Sequence, residues 1–551
     1  MNNSYLTSIF TNCINKLSID IDLTELQFDT PKDIKHGDLS TNLAMRLTKK
    51  LKKSPHLIAQ DINDNLEYDK DLIENISIAG AGFINIKFTN KYYQQELQKI
   101  YSAGDEYGKI DIYKGKKINV EYVSANPTGL LHLGHGRNAA IGDTLANIYQ
   151  WCGADVTREY YFNNAGNQMN NLTKSIYARY MQIIEDENFP FPEDGYHGSY
   201  VKIIAEELVK KYDKQLTNIE DKNTFKTIKD FGESWCFDKI RKTLDKMNVH
   251  QDIFFNEDSL YKDGKIADVL SELKEKDLSY EKEGATWFAL SKLGLESDRV
   301  IVKSTGEPTY RLPDIAYHRE KLKRGYDLVV DLFGADHIAT VPDVLAGVKA
   351  LGFDVNKVKV IIHQFVTLME NGEQVKMSKR TGKSYTLDDL LDEVGADVVR
   401  YFLIMRSVNT HLEFELSIAR EQSDKNPVFY LQYAHARICS ILEKLKNENI
   451  DLTKIKNADL SYLNDDSEIK LIKTLILFPQ MLQIATEKSE PHILCEYLKD
   501  VAAAFHVFYH NCRIIGSEEN ILINRLLLSN AAKTVLRNGM RILGVSYPEK
   551  M

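Results

Sequence analysis

The segment Ile118–Trp151, with the sequence INVEYVSANPTGLLHLGHGRNAAIGDTLANIYQW, decides how the rest of the chain is interpreted. Ile118 to Val123 has the composition of a strand, and Asn138 to Trp151 has the apolar spacing of a helix. Two histidines, His132 and His135, lie between them at the start of this helical region. Free backbone N–H groups and the helix dipole favour anions at such a start. The segment therefore predicts a phosphate-binding strand–loop–helix unit.

The glycines beside these histidines support the same prediction. Gly134 and Gly136 lack side chains, so an adenine or a ribose could approach the backbone there. The imidazoles of His132 and His135 can donate hydrogen bonds to phosphate oxygens, and donors aimed at developing charge are worth about 3–4 kcal/mol each. Two histidines at this spacing could also be metal ligands or ordinary surface residues. The motif alone leaves all three interpretations open.

A second polar motif, Lys376-Met377-Ser378-Lys379-Arg380, follows another predicted strand far downstream. On its own such a turn is typical of a solvated loop. Paired with the first motif, its two lysines become candidate cationic partners for a nucleoside triphosphate. Activation of a carboxylate by ATP needs an in-line attack on the α-phosphate, in which positioning and charge stabilisation dominate. The two motifs together predict one pocket that holds ATP from opposite sides.

Strands and helices alternate around the first motif, as in a parallel sheet. The predicted strands are Ile118–Val123, Val156–Phe162, Ala285–Leu290, Val300–Lys303, Leu328–Phe333 and Lys359–Leu368. The alternation breaks at about residues 167–283, where the sequence is helical and rich in Lys and Glu. This pattern predicts a Rossmann-like doubly wound parallel sheet with a helical insertion. Ligands of such folds bind beyond the carboxyl ends of the strands, where both motifs fall.

The flanking segments have different patterns. Residues 1–110 predict a small N-terminal α/β domain, with a helix opened by His36–Ser40 and a strand at Phe83–Phe88. From Leu387 the chain has helical patterns to its end. The protein is therefore expected to be a multidomain α/β protein. Its expected segments are 1–110, a catalytic domain at 111–386, a helical connection at 387–425 and a C-terminal α-helical bundle at 426–551.

Composition limits the class of protein. A chain of 551 residues is too long for one core, and 43% hydrophobic with 27% charged residues is typical of soluble globular proteins. We expect no membrane partner, because no apolar run approaches the ~20 residues that span a bilayer. Six scattered cysteines without a CxxC pair indicate neither a disulfide framework nor a structural zinc site, so a cytoplasmic chain is expected. A net charge of −9 does not exclude RNA, which responds to local basic surface.

The run Val120–His135 closely resembles the first signature, HIGH, of class I aminoacyl-tRNA synthetases, and within them of the arginyl-tRNA synthetase family. Lys376–Arg380 resembles their second signature, KMSKS, with Arg380 in place of the final serine. The resemblance covers nearly the whole chain outside the insertion. It implies an enzyme, an arginine–tRNA ligase, that forms arginyl-adenylate from L-arginine and ATP. Arginine then passes to the terminal 2′-hydroxyl of tRNA(Arg), and AMP and pyrophosphate are released.

The resemblance also assigns roles to residues. Catalytic roles fall to His132, His135, Lys376 and Lys379. Contacts to arginine fall to Glu121, Ser124, Asn126, Tyr310 and Asp314. Contacts to ATP, which carries Mg²⁺, fall to Gly134, Gly136, Gly334, Asp336, His337, Val366, Met377 and Ser378. Ala335 stands where some relatives have a substrate-contacting glutamine, so that contact is not expected here.

The residues Tyr310 and Asp314 give a physical basis for arginine specificity. A planar guanidinium with five donors needs carboxylates placed to accept it as a fork, which Tyr310 and Asp314 would help to supply. The alternative is a tyrosine packed on a proline-initiated helix that Asp314 caps. Two further regions resemble tRNA-binding parts of the family. They are an N-terminal domain for the tRNA elbow, with Asp38 and Asn42, and an anticodon-binding bundle, with Tyr430, Tyr433 and Arg437.

Other interpretations remain at this stage. A cysteinyl enzyme of the same class is disfavoured because metal-ligating Cys and His residues are not clustered. A catalytically silent tRNA-binding paralogue is disfavoured by the intact histidines and lysines of the two motifs. A general nucleotidyltransferase would leave both flanking RNA-type domains without a purpose. A monomer is the expected oligomeric state. Similarity to the family further implies that tRNA must bind before arginine is activated.

Overall fold

The computed structural model describes residues 4–22, 26–31, 33–375, 385–448 and 452–551. Within these ranges the strands form four sheets. The largest is parallel, and the other three are small sheets of three strands.

The N-terminal region packs helices against an antiparallel sheet in the order β1-β3-β2. Its elements are α1 (Ser4–Lys16), β1 (Leu39–Thr41), α2 (Leu43–Arg46), α3 (Thr48–Leu51), α4 (Pro55–Asn65), β2 (Ile73–Ala79), β3 (Phe83–Phe88) and α5 (Asn90–Ala103). The predicted strand at Phe83–Phe88 is confirmed. The predicted helix start at His36–Ser40 is wrong, because Leu39–Thr41 pairs with β3 and the helix begins only at Leu43. The backbone N–H and C=O groups of β1 are satisfied by pairing with β3. Helical periodicity in the sequence could not reveal this partner.

The parallel sheet occupies the middle of the chain. The first half of the region that contains this sheet comprises β4 (Lys117–Glu121), α6 (Leu133–Trp151), β5 (Asp155–Phe162), α7 (Gly166–Ile184), α8 (Ser199–Tyr212), α9 (Lys222–Lys246) and β6 (Ile253–Asn256). Next come α10 (Asp258–Lys262), α11 (Lys265–Glu275), β7 (Ser279–Lys282), β8 (Ala285–Phe288), β9 (Arg299–Val302), α12 (Arg311–Lys323), β10 (Leu328–Gly334), α13 (Val341–Ala350) and β11 (Val358–His363). The strand order is β11-β10-β4-β5-β6.

This order makes the sheet doubly wound, as predicted. From β4 the chain moves outward through β5 to β6, then crosses back to place β10 on the other side of β4. The strand order therefore reverses between β4 and β10, where Glu121 lies beside Asp331. A crevice at this switch point is the expected ligand site of an open α/β sheet.

Two parts of the predicted alternation differ from the structure. Ala285–Phe288 and Arg299–Val302 lie in a separate antiparallel sheet, β7-β8-β9, and not in the parallel one. Ile253–Asn256, inside the predicted helical insertion, pairs with β5 as an edge strand of the parallel sheet. Short strands of similar composition cannot be assigned to a sheet from periodicity, because pairing partners are set by tertiary contacts.

The region after β11 is not wholly helical. It contains β12 (Val366–Glu370), β13 (Glu373–Gln374), α14 (Leu387–Val394), α15 (Ala396–Ile404), β14 (Leu412–Glu415) and α16 (Leu416–Ala419). The predicted strand Lys359–Leu368 is therefore two strands, and only the first belongs to the parallel sheet. The unpredicted strand β14 pairs in parallel with β12.

The C-terminal region is the predicted helical bundle. Its helices are α17 (Pro427–Asn447), α18 (Asp466–Leu475), α19 (Phe478–Lys488), α20 (His492–Asn511) and α21 (Glu519–Leu543). Asp466–Lys488, with a mean hydropathy of 1.2, is long and apolar enough to be a candidate membrane span by length and composition. In the structure it forms two helices, and its apolar residues Leu471, Ile472, Phe478 and Leu482 are buried in the protein core.

Candidate functional site

The loop between β4 and α6 begins with a strained backbone. Val123 and Ser124 have φ angles of 70° and 44°, which residues with a side chain rarely adopt. Asn138 of α6 accepts the Val123 N–H at 2.7 Å and donates to the Leu332 carbonyl at 3.1 Å. It therefore ties the end of β4 to β10. Strain held in place by its surroundings is common at functional sites.

The two histidines cap the N-terminus of α6. His132 is the N-cap, and its Nδ1 accepts the Gly134 N–H at 3.1 Å. Nδ1 of His135 accepts the backbone N–H of His132 at 3.3 Å, and the two rings stack with centroids 3.7 Å apart. Because each Nδ1 accepts a backbone hydrogen bond, the proton of each neutral ring lies on Nε2. Both imidazoles are therefore oriented as Nε2–H donors.

Their surroundings keep both rings neutral. Burial lowers the pKa of His135 to about 3, with a further contribution from His132 and His363. Desolvation also lowers the pKa of His132. Near pH 7 both rings are neutral and can donate hydrogen bonds to phosphate oxygens.

A buried charge network lies at the switch point. Glu121 forms an ion pair with Lys321 of α12, whose Nζ also contacts Asp331 at 2.6 Å. Ser124 donates its hydroxyl to Glu121 at 2.9 Å, and Nε2 of His318 lies 2.9 Å from Asp331. Burial raises the pKa of Glu121, an effect that Lys321 opposes. Glu121 is thus held at the cavity wall by partners on both of its oxygens.

A second group of carboxylates, Asp314 and Glu257, lines the same cavity. Tyr310, which is 74% exposed, lies one helical turn from Asp314 at the start of α12. Burial raises the pKa of Asp314 to about 7, and no described residue forms an ion pair with its carboxylate. The nearby Glu257 accepts hydrogen bonds from the Tyr161 hydroxyl at 2.6 Å and the Asn163 amide at 2.9 Å. A desolvated carboxylate that pairs with no described cation favours a positively charged ligand.

These groups line one cavity of ≈ 800 Å³ at the carboxyl ends of the parallel strands. Sequence-predicted site residues in its wall are Glu121, Ser124, Asn126, His132, Gly134, His135, Tyr310, Asp314, Gly334, Asp336 and His337. The structure therefore brings the predicted arginine contacts and the first nucleotide contacts to one place.

Among the described residues, two predicted nucleotide contacts are not in this wall. Gly136 is buried in α6, where an added Cβ would lie 2.7 Å from Leu387 Cδ1. Its missing side chain serves the packing of α6 and not access to the backbone. Val366 begins β12, and the preceding Phe365 lines the cavity instead. A backbone contact of Val366 to the nucleotide stays a prediction.

The predicted second motif, Lys376, Met377, Ser378 and Lys379 included, lies outside the described residues, but the chain on both sides of it is described. Before it, the Val375 N–H donates to the Leu368 carbonyl at 2.9 Å. After it, the Leu387 N–H donates to the Leu131 carbonyl at 2.9 Å. The chain that follows the second motif therefore contacts the residue immediately before His132.

The predicted N-terminal tRNA contacts occupy different environments. The Asp38 carboxylate contacts Lys473 of α18 at 2.5 Å and accepts the Phe88 N–H at 2.9 Å. It joins the N-terminal region to the C-terminal bundle. Asn42 is half-buried and makes no side-chain capping hydrogen bond at the start of α2. A tRNA contact for either residue stays a prediction.

The predicted anticodon contacts belong to one aromatic cluster between α17 and α20. Tyr430 and Tyr433 lie 4.8 Å and 6.0 Å from the ring centroid of His506. The Arg437 guanidinium lies over the rings of Tyr433 and Tyr509, at 5.0 Å and 5.4 Å. Tyr430, Tyr433 and Arg437 are each half-buried, so part of each is accessible for stacking with a base.

Sequence reasoning missed several residues of the site, and three of them show why. Asn138 could have been found as a polar residue on the buried face of a helix whose other buried residues are mostly apolar. Glu257 follows the apolar run Ile253–Phe255, which was not recognised as a strand. Lys321 carries no signal, because it lies in a charged helical segment that is typical of a solvated surface.

The doubly wound sheet, with a histidine-capped helix at its switch point, is the catalytic fold of a class I aminoacyl-tRNA synthetase. A family model described as "tRNA synthetases class I (R), catalytic domain" matches residues 96–405. The "Arginyl tRNA synthetase N terminal domain" matches residues 4–88, and the "DALR anticodon binding domain" matches residues 431–551. The chain belongs to the arginyl-tRNA synthetase family.

Similar proteins span the whole chain. An arginine–tRNA ligase of Salinibacter ruber is 45% identical, over 99% of this chain and 100% of its own length. One from Bacillus subtilis is 44% identical, over 95% of this chain and 94% of its own. Among solved structures, a putative arginyl-tRNA synthetase from Campylobacter jejuni has 32% identity and a TM-score of 0.77, covering 84% of this chain and 100% of its own. The Thermus thermophilus arginyl-tRNA synthetase, at 20% identity and a TM-score of 0.77 over 100% of both chains, shows the shared fold.

Proposed function

We propose that this chain activates L-arginine with ATP and transfers it to the 3′-terminal adenosine of tRNA(Arg). The observation that carries the proposal is a cavity whose wall contains Asp314, which forms no ion pair with any described residue, and the neutral donors His132 and His135. Asp314 suits a guanidinium, and the two histidines suit a triphosphate. Both substrates of the activation step therefore have complementary walls within one space.

Arginine would bind with its guanidinium toward Asp314, Tyr310 and Glu257. These residues line the same part of the cavity wall and supply carboxylate and hydroxyl acceptors for a planar five-donor cation. Glu121, Ser124 and Asn126 would hold the amino-acid end. The lysine ammonium is a compact point charge, so it would fit this arrangement poorly.

ATP would bind toward the start of α6. The helix N-terminus, Gly134 and the Nε2–H groups of His132 and His135 provide donors for phosphate oxygens. The arginine carboxylate attacks the α-phosphorus, a new O–P bond forms, and the bond to pyrophosphate breaks. Preorganised donors stabilise the charge that develops on the phosphate oxygens.

The second motif and the metal complete the nucleotide end. Lys376 and Lys379 would hold the β- and γ-phosphates, with Met377 and Ser378 beside them. Mg²⁺ usually keeps several waters and binds through phosphates with one or two carboxylates. The exposed carboxylate of Asp336 in the cavity wall fits this role. The ion would neutralise charge on the departing pyrophosphate.

Transfer completes the reaction. The terminal 2′-hydroxyl of tRNA attacks the arginyl carbonyl, an ester bond forms, the bond to AMP breaks, and the hydroxyl proton is lost to solvent. Asp38, Asn42, Tyr430, Tyr433 and Arg437 are the proposed tRNA contacts. We propose a cytoplasmic monomer organised as residues 1–110, 111–386, 387–425 and 426–551.

The direct test is arginine charging of a tRNA pool by the wild type and by His135→Ala. We expect the wild type to charge arginine and the variant to lose about 100-fold or more in kcat, since one donor to developing charge is worth about 3 kcal/mol or more. No arginine charging by the wild type would disprove the proposal. ATP–pyrophosphate exchange with arginine, measured with and without tRNA, tests the requirement for tRNA. Full exchange without tRNA would refute that requirement alone.

A further inference from the structure

The helices α7, α8 and α9 have a core of their own, yet they reach into the catalytic site. We propose that these helices position the loop of residues 124–131, called here the signature loop, and that Tyr200 is the main positioning residue. The proposal rests on the proposed function, because the signature loop carries Ser124 and Asn126 and leads directly into His132. It assigns a role to the insertion, for which the sequence alone indicates none.

Tyr200 makes the central contact. Its hydroxyl donates to the Thr128 carbonyl in the signature loop at 2.7 Å. Gly129 lies against the same ring, since an added Cβ there would be 3.1 Å from the Tyr200 hydroxyl oxygen. On its other side Tyr200 stacks with Trp235 of α9, with ring centroids 6.3 Å apart. The phenol is therefore held by the insertion and aimed at the loop backbone.

A second contact fixes the orientation of Asn126. Its Nδ2 donates to Oε1 of Gln168 in the first turn of α7, at 2.9 Å. Its Oδ1 accepts the Asn163 N–H, also at 2.9 Å. With both ends of the amide engaged, the Asn126 side chain has one orientation at the cavity wall. The insertion thus acts on a predicted substrate contact as well as on the backbone.

The insertion also contacts the chain that follows the second motif. Thr243 of α9 donates its hydroxyl to Asp388 of α14 at 2.7 Å, and Lys246 lies 3.0 Å from Asp388 and 2.9 Å from Asp392. The first residue of α14, Leu387, donates its N–H to Leu131 at the end of the signature loop. The helices α7–α9 and α14 therefore hold the signature loop from two sides.

This arrangement matters for rate because small displacements at a reacting centre are costly. A misplacement of about 1 Å caused by a residue outside the chemistry can cost about 100-fold in rate. A loop without the Tyr200 hydrogen bond would sample more positions of Asn126 and His132. The loss would appear mainly in kcat, since fewer molecules would have the reactive geometry at any moment.

The chain supplies a matched control for the test. Tyr177 of α7 also donates its hydroxyl to a backbone carbonyl, that of Thr217 at 2.6 Å, but this bond lies wholly inside the insertion. Tyr200→Phe and Tyr177→Phe each remove one hydroxyl and keep the ring. We compare them with the wild type by kcat and KM for arginine charging and by amide hydrogen exchange of residues 124–131.

We expect Tyr200→Phe to lower kcat about tenfold, with KM for arginine changed less than about twofold, and to speed exchange in the signature loop. Tyr177→Phe should match the wild type in both readouts. Equal kinetics and exchange for Tyr200→Phe and the wild type would overturn the proposal, as would equal losses in both variants. Hydrogen exchange does not depend on activity, so it tests the positioning role even if the wild type fails to charge arginine.

Discussion

Unlike Glu121 and Asp331, Asp314 forms no ion pair with any described residue. Glu121 and Asp331 share Lys321, whereas Asp314 faces the cavity with its pKa raised to about 7 by burial. A raised pKa means that the group is protonated below about pH 7 and acquires its charge only above it. The site without ligand therefore contains an acceptor whose affinity for a cation depends on pH.

This property predicts the pH dependence of arginine use. Arginine keeps its charge throughout the range, so its binding should follow the ionisation of Asp314. We expect kcat/KM for arginine to rise about tenfold per pH unit below pH 7 and to level off above it. Asp314→Asn should lower kcat/KM by about 100-fold or more and remove this rise, because truncating one partner of a buried charge pair costs about 2–5 kcal/mol.

The control is Asp268→Asn on α11, which removes an exposed carboxylate outside the cavity. It should leave the pH profile unchanged. His132 and His135, whose pKa values are lowered, should add no further inflection near neutral pH. A profile of Asp314→Asn with the same slope as the wild type would exclude Asp314 as the titrating group.

At the scale of elements, α6 shows how closely a helix can be fitted to its sheet. The sequence predicted the helix from Asn138, and the structure extends it back to Leu133 because His132 caps it. Gly142 faces β4, and an added Cβ there would lie 2.3 Å from Cγ of Tyr122. The glycine therefore allows the helix that carries both histidines to approach the end of β4 closely.

Gly142→Ala is expected to destabilise the protein by about 1–3 kcal/mol, because the ring of Tyr122 cannot move without displacing the end of β4. The measurement is the midpoint of thermal unfolding. Gly232→Ala in α9 is a matched control, since its Cβ would lie close only to the flexible end of Ile176, at 2.5 Å, with Leu172 at an ordinary 3.9 Å. Equal midpoints for the two variants would show that the close approach of α6 to Tyr122 at Gly142 does not limit the stability of the protein.

At the scale of the whole molecule, Arg400 connects regions that are far apart in sequence. Its buried guanidinium contacts Asp143 of α6 at 2.6 Å, the Met247 carbonyl after α9 at 2.9 Å and the Leu543 carbonyl of α21 at 3.2 Å. One side chain therefore joins the catalytic helix, the insertion and the C-terminal bundle. Domain arrangement in this protein depends on such buried polar contacts as well as on the continuous apolar core.

Arg400→Leu should cost about 3–5 kcal/mol, because Asp143 and several carbonyls would lose their main buried partner. A lower midpoint of thermal unfolding and loss of arginine charging should appear together. Arg420→Leu removes an exposed arginine that pairs with Glu370 and Glu393, and it should cost about 1 kcal/mol or less. A midpoint for Arg400→Leu as high as that of Arg420→Leu would contradict the joining role.

The sequence by itself determined the doubly wound sheet and the helical C-terminal region, and its resemblance to a known family assigned eleven of the cavity-wall residues, His132 and Asp314 among them. Local composition and short motifs carry this information, because strand and helix periods and the chemistry of phosphate binding act over a few residues. Only the tertiary structure decided that Leu39–Thr41 is a strand, that β6 joins the parallel sheet and that Lys321 is buried between two carboxylates. Strand pairing and ion pairing depend on residues brought together from distant parts of the chain, so a local sequence pattern does not predict them.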